Sequence, residues 1–96
     1  MQVVIANHGY FELPVELRGL ADEIDDENAQ RKDPRVVEWV EANPGEPTYP
    51  DSYCVFLKTV DIPDDVTDIL VLEQSRCGAP YEELLYVLDG RIHSVR

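Results

Sequence analysis

Near the end of the chain, Asp89-Gly90 stands between two β-capable runs, Leu84-Leu85-Tyr86-Val87-Leu88 and Arg91-Ile92-His93-Ser94-Val95. Asp-Gly accepts the positive φ angles that a type I′ turn demands, so the pattern predicts a β-hairpin. A helix from Tyr81 to Leu88, entered through Pro80, is the competing pattern, because Leu84, Leu85 and Leu88 also have helical spacing. The turn chemistry favours the hairpin. It commits the fold to a largely antiparallel sheet.

Other segments supply the remaining elements. Val3-Val4-Ile5 is a β-branched run, read as a buried strand that ends at the turn signal Asn7-His8-Gly9. Leu13, Leu17, Leu20, Ala21 and Ile24 recur at helical spacing behind Pro14, predicting a first helix that fades among the acids of Asp22 to Glu27. Asp33-Pro34 is a stronger helix start, an acidic cap followed by proline at the first helical position. Val36, Val37 and Val40 give that helix a buried stripe, with Trp39 flanking it, and Asn43-Pro44-Gly45 stops it. The run from Tyr53 to Val60 is apolar on both faces and reads as a central strand. Ile69 to Leu72 is another strand, extending toward Gln74, and Cys77 lies in a turn-like segment. The expectation is one α+β domain over residues 1–96, a mostly antiparallel sheet of four or five strands with two helices packed on one face.

Charge narrows the function classes. Eight basic against twenty acidic residues leave a net charge of −12. Polynucleotides and anionic membranes are held by cations that neutralise phosphates, so direct nucleic-acid or membrane binding is not expected. Mimicry of DNA against another protein's basic groove is physically open to such a chain. No apolar run has the length of a membrane span, and the first residues lack the basic start and apolar core of a secretion signal. Two cysteines are too few for a disulfide scaffold, and a cytoplasmic setting is expected.

No catalytic or metal-binding motif is complete. Cys54 with His8 or His93 would need a third group to hold the base, and none is adjacent, so Cys54 reads as core. The acids of Asp22 to Asn28 lack the alternating ligands and turn glycine of a calcium loop, and Asp61 to Asp68 is equally unmatched. The histidines and cysteines are scattered without zinc-ligand spacing. The sharpest candidate is Asn7-His8-Gly9-Tyr10-Phe11, between the first strand and the first helix. Such a junction can offer backbone N–H groups to an anion while aromatics stack on a base, and Arg18 can add charge one turn along. Arg31, Lys32 and Arg35 bracket the second helix start, and Arg76, Arg91, His93 and Arg96 fall in the last quarter. In a hairpin, Arg91 and His93 share one face.

The order of these pieces, with Asp33-Pro34…Val36-Val37-Glu38 and Val60-Asp61-Ile62-Pro63-Asp64-Asp65-Val66, resembles a group of small phage and prophage proteins. Those open with a strand leading into an Asn-x-Cys-Tyr-Gly-Gly-Phe loop and carry an Ile-Pro-Asp-Asp-Val turn before closing strands. Here the loop lacks the paired glycines and the cysteine, and the chain after Gln74 departs from the pattern. The resemblance implies a non-enzymatic counter-defence protein that sequesters a nucleotide-derived host immune signal in an oligomeric pocket, without a cofactor, in the cytoplasm of a bacterial host. The ligand-binding expectation falls on Asn7, His8, Gly9, Tyr10, Phe11, Arg18, Arg91 and His93. The alternatives are an acidic inhibitor of a host defence protein and an enzyme that degrades the signal.

Overall fold

The computed structural model describes residues 1–49 and 55–95. Strand β1 (Gln2–His8) leads through an irregular segment and a single 3-10 turn at Val15–Leu17 into three helices, α1 (Leu20–Glu23), α2 (Glu27–Lys32) and α3 (Pro34–Ala42). Strands β2 (Phe56–Asp61), β3 (Asp68–Arg76), β4 (Ala79–Leu88) and β5 (Arg91–Ser94) follow. The fold is α+β, and its strands are all antiparallel to their neighbours. No helix among the described residues is long and apolar enough to cross a membrane.

Among the described residues the expected single sheet is instead two: a ribbon of β1 and β2, and a three-stranded sheet in the order β3-β4-β5. They meet where β1 lies beside β4. There Gly9 N–H donates to Pro80 O at 2.8 Å, as a continuous ladder would require. Two residues further in, the ladder is replaced by side chains. Ala6 N–H donates to Glu82 Oε1 (2.7 Å), and Val4 O accepts from Arg31 (3.2 Å). Arg31 and Glu82 are themselves paired and only 2% and 4% exposed. The β1 edge is therefore satisfied by a buried ion pair instead of a strand, which is why the sheet divides.

All four residues Val3 to Ala6 are buried because both faces of β1 are covered. Val3 and Ile5 pack against Ile62, Ile69 and Leu84 on the side of the three-stranded sheet. Val4, on the opposite face, meets Leu13, Leu20, Val36 and Val40, the helical side. The same geometry corrects the reading of β2. Leu57 and Val60 are both half-buried, one in each cluster, yet among the described residues β2 pairs along its length only with β1. Two covered faces, not two paired edges, produce its apolar pattern; Tyr53 and Cys54 lie outside the described residues.

The first helix also differs from expectation. Pro14 is extended (φ −56°, ψ 150°), Ile24 leaves α1 in β conformation (φ −128°, ψ 101°), and only short helical pieces lie between. Burial of Leu13 and Leu20 survives without continuous helix. The first helical run does end within the acidic stretch, at Glu23, but a further helix, α2, starts at its far end, capped by Asp26, whose carboxylate accepts from Asn28 N–H. Three helices result among the described residues, not two. Asp33-Pro34 starts α3 as expected, with Asp33 accepting from Arg35 N–H at 2.8 Å. The C-terminal hairpin also forms as expected, with Asp89 and Gly90 at φ 53° and 73°. A second turn of the same hand, Cys77-Gly78 (φ 53° and 82°), joins β3 to β4.

Candidate functional site

A cleft of about 900 Å³ opens between the ribbon and the three-stranded sheet. Its volume lies within the range of pockets that hold small molecules. Ile5, Asn7, Lys58 and Val60 border it from the ribbon, and Glu82, Leu84, Ser94 and Val95 from the other sheet. Lys58 reaches it because it pairs directly with Ile5, and opposed residues of antiparallel strands share a face. A register break between Ala6 and His8 makes Asn7 the extra residue of a bulge. Bulges re-aim side chains, and here both Asn7 and His8 border the cleft.

The cleft carries charges of both signs. Asp61 is engaged by the Met1 ammonium at 3.6 Å, and Glu82 by Arg31 at 2.8 Å. Glu83 accepts from the Tyr81 hydroxyl at 3.3 Å. Among the described residues, Lys58 and Arg76 have no carboxylate partner, and Arg76 lies over the Tyr81 ring at 5.0 Å. The His8 ring sits edge-on to Phe56, with centroids 6.2 Å apart. No grouping of three His, Cys, Asp or Glu side chains is placed to hold a metal ion among the described residues.

The residues singled out from sequence are distributed over several places. Asn7 and His8 border the cleft. Gly9 makes the turn out of β1 at φ +84°, where a Cβ would stand 2.9 Å from Val55 Cγ2. Its N–H is taken by Pro80, so the expected anion cradle of free backbone donors is not formed at this position. Tyr10 is 57% exposed. Phe11 and Arg18 border a separate hollow of about 340 Å³ with Glu27, Gln30 and Tyr49, where Arg18 lies 5.6 Å from the Tyr49 ring centroid. Phe11 also stacks beneath the Arg31 guanidinium at 4.3 Å. Arg91 and His93 pair with Leu88 and Tyr86 and so share one face of β5, as expected. His93 stacks on Tyr86 at 5.2 Å, and neither residue borders the cleft. Arg96 lies outside the described residues.

Lys58 and Tyr81 were not singled out from sequence. A lone lysine in the apolar run Phe56-Leu57-Lys58-Thr59-Val60 is a signal of a strand position facing water, but its place opposite Ile5 depends on register. No family model matches the chain, and no curated protein or solved structure matches it either. The likeness to phage proteins rests on the quoted residues alone.

Proposed function

We propose that this protein is a non-enzymatic binding protein that captures a small nucleotide-derived anion in the cleft between its two sheets. The observation that carries this reading is the position of Lys58, a cation without a carboxylate partner among the described residues, at a concave site beside Asn7 and His8. In a chain of net charge −12, a local positive site favours a small anion while the surrounding field repels long polyanions. Lys58 supplies a point charge for a phosphate, Asn7 an amide for a base or ribose edge, and Tyr81 a ring face. In a phage setting this capture would act in counter-defence, by withdrawing a nucleotide signal from the host.

Isothermal titration calorimetry against a panel of cyclic and ADP-ribose-type nucleotides tests the reading. The expected result is saturable heat with at least one member, weakened at least about tenfold by Lys58→Glu, a loss of about 1.4 kcal/mol or more. Absence of heat across the panel overturns it. Recovery of the nucleotide unchanged after denaturation separates capture from degradation.

A second reading, an acidic inhibitor of a basic host protein, is favoured by the exposed carboxylates of Asp22, Glu23, Asp25, Asp26 and Glu27. A stoichiometric protein partner released by salt would support that reading instead.

A further inference from the structure

We propose that the outer edge of β3 is a dimerisation edge, on which a second copy of this chain pairs antiparallel with Leu72 on the two-fold axis. Arg76 and Ala79 close the Cys77-Gly78 turn, both of whose residues have positive φ. The pair flanking such a turn is hydrogen-bonded, so Arg76, Gln74, Leu72 and Leu70 direct their backbone groups to β4. Ser75, Glu73, Val71 and Ile69 direct theirs outward. In keeping with this, Ile69 N–H donates to the Asp68 carboxylate at 2.9 Å and to no strand among the described residues. Among the described residues no strand pairs with this edge.

Sheet edges are usually blunted by shortness, proline, lysine, bulges or cover. β5 has only four residues. β2 carries Lys58 and is met at Phe56 by an isolated bridge from Pro47. The β1 edge is covered by Arg31 and Glu82. β3 runs for nine residues without proline, glycine or lysine, and its register with β4 is unbroken; its charges are Asp68, Glu73 and Arg76, of which Glu73 lies on the face of Ile69 and Val71.

Charge selects the register. Outward backbone groups must meet outward groups, which limits the choices to alternate alignments. Centring the pair on Glu73 opposes two carboxylates, which is destabilising. Centring it on Val71 carries Arg76 past the end of the second strand. With Leu72 on the axis, Asp68 faces Arg76 of the second copy at both ends, Leu70 faces Gln74, and Leu72 faces itself. Ile69 N–H moves onto Ser75 of the second copy, which releases the Asp68 carboxylate for the arginine. Arg76 has no carboxylate partner among the described residues of its own chain. Leu72, 40% exposed, gains an apolar neighbour at a close non-hydrogen-bonded position, with Cα atoms about 4.5 Å apart. Because Leu70, Leu72, Leu85, Val87 and Ile92 share the outer face, the joined sheet carries one continuous apolar strip. Closed two-fold pairing of this kind uses the same surface on both copies.

Sedimentation velocity over a concentration series at about 0.15 M salt, a condition that leaves close pairs partly unscreened, tests the proposal. The wild-type chain is expected to dimerise, and Leu72→Lys, at an exposed position, is expected to raise the dissociation constant at least tenfold while circular dichroism stays unchanged. Asp68→Arg and Arg76→Asp singly weaken the dimer, and the two together restore it. Leu72→Cys in a Cys54→Ser, Cys77→Ser background forms a covalent dimer on oxidation, whereas Leu70→Cys does not. A wild-type monomer at all concentrations overturns the proposal, as does a dimer indifferent to Leu72→Lys. Failure of the charge exchange to rescue, or equal cross-linking from Leu70→Cys, overturns the register. Arg76 borders the cleft as well as the paired edge, whereas Leu72 does not border it, so loss of the dimer with nucleotide heat retained in Leu72→Lys separates dimerisation from ligand capture.

Discussion

Arg31 is held by carboxylates, a backbone carbonyl and an aromatic ring. Its guanidinium donates to both Glu82 oxygens (2.8 and 2.9 Å), to Glu27 (3.1 Å) and to Val4 O (3.2 Å), with Phe11 stacked on its face. Its Nε has no hydrogen-bond partner among the described residues. The pair joins α2, β1 and β4, and it holds two polar groups of β1 that would otherwise be buried unpaired. Glu82→Leu is therefore expected to cost about 3–5 kcal/mol, because it strands a buried charge and the Ala6 N–H together. Arg31→Met with Glu82→Leu recovers part of that loss by removing the charge. Recovery stays incomplete, since Val4 O and Ala6 N–H still lack partners. Urea unfolding of the single and double variants measures the coupling, and a cost below about 1 kcal/mol for Glu82→Leu would refute this account.

The elements that were legible in the sequence are those specified by adjacent residues. Asp89-Gly90 needs only its own backbone to make the turn, and Asp33-Pro34 needs only the first turn of α3. Helix α2 was not legible, because Arg31 reads as a solvated cation until Glu82, fifty-one positions away, is placed against it. The same distance hid the division of the sheet. Asp33 illustrates how a local signal carries wider consequences. It ends α2, caps α3, and accepts from Arg35 through both oxygens, at 3.0 Å to Nε and 3.0 Å to a terminal nitrogen. Arg35 in turn reaches Glu23 of α1 at 2.9 Å. These bonds from Arg35 hold the Asp33 carboxyl below its ordinary range. As pH falls, the unfolded chain takes up the proton first, so this contribution is complete above the ordinary carboxyl value of about 3.9 and is lost as pH drops through the lower folded value. Asp33→Asn keeps a competent cap but gives up the carboxylate's contribution, so its stability near neutrality is expected to fall slightly and to converge on that of the wild type in acid. Below about pH 4 its urea midpoint should fall less steeply with acid than that of the wild type. Identical slopes would show that Asp33 does not titrate with folding.

At the scale of the whole molecule, the net charge of −12 was legible from composition, but where it leaves room for an anion was not. Asn7 and His8 were found from a turn signal, whereas Lys58 became a cleft residue only through its register with Ile5. The size of the chain turns that charge into a measurable force. With a radius of gyration of 13.2 Å, every carboxylate lies within a Debye length of most others at about 0.01 M salt, where that length is roughly 30 Å. At about 1 M it is roughly 3 Å, and only touching pairs still interact. The attractions that salt could weaken are few. Arg31–Glu82 is buried and screened little, and the exposed pairs of Arg35 contribute little to begin with. Repulsion among the exposed acids is the larger quantity, and unfolding relieves it by moving those charges apart. Raising sodium chloride from about 0.01 M to about 0.5 M, which shortens the Debye length severalfold, is therefore expected to raise the Tm by several degrees. Differential scanning calorimetry measures the shift, and a Tm that falls with salt would mean that attractive pairs, not the net charge, dominate the electrostatics of the fold.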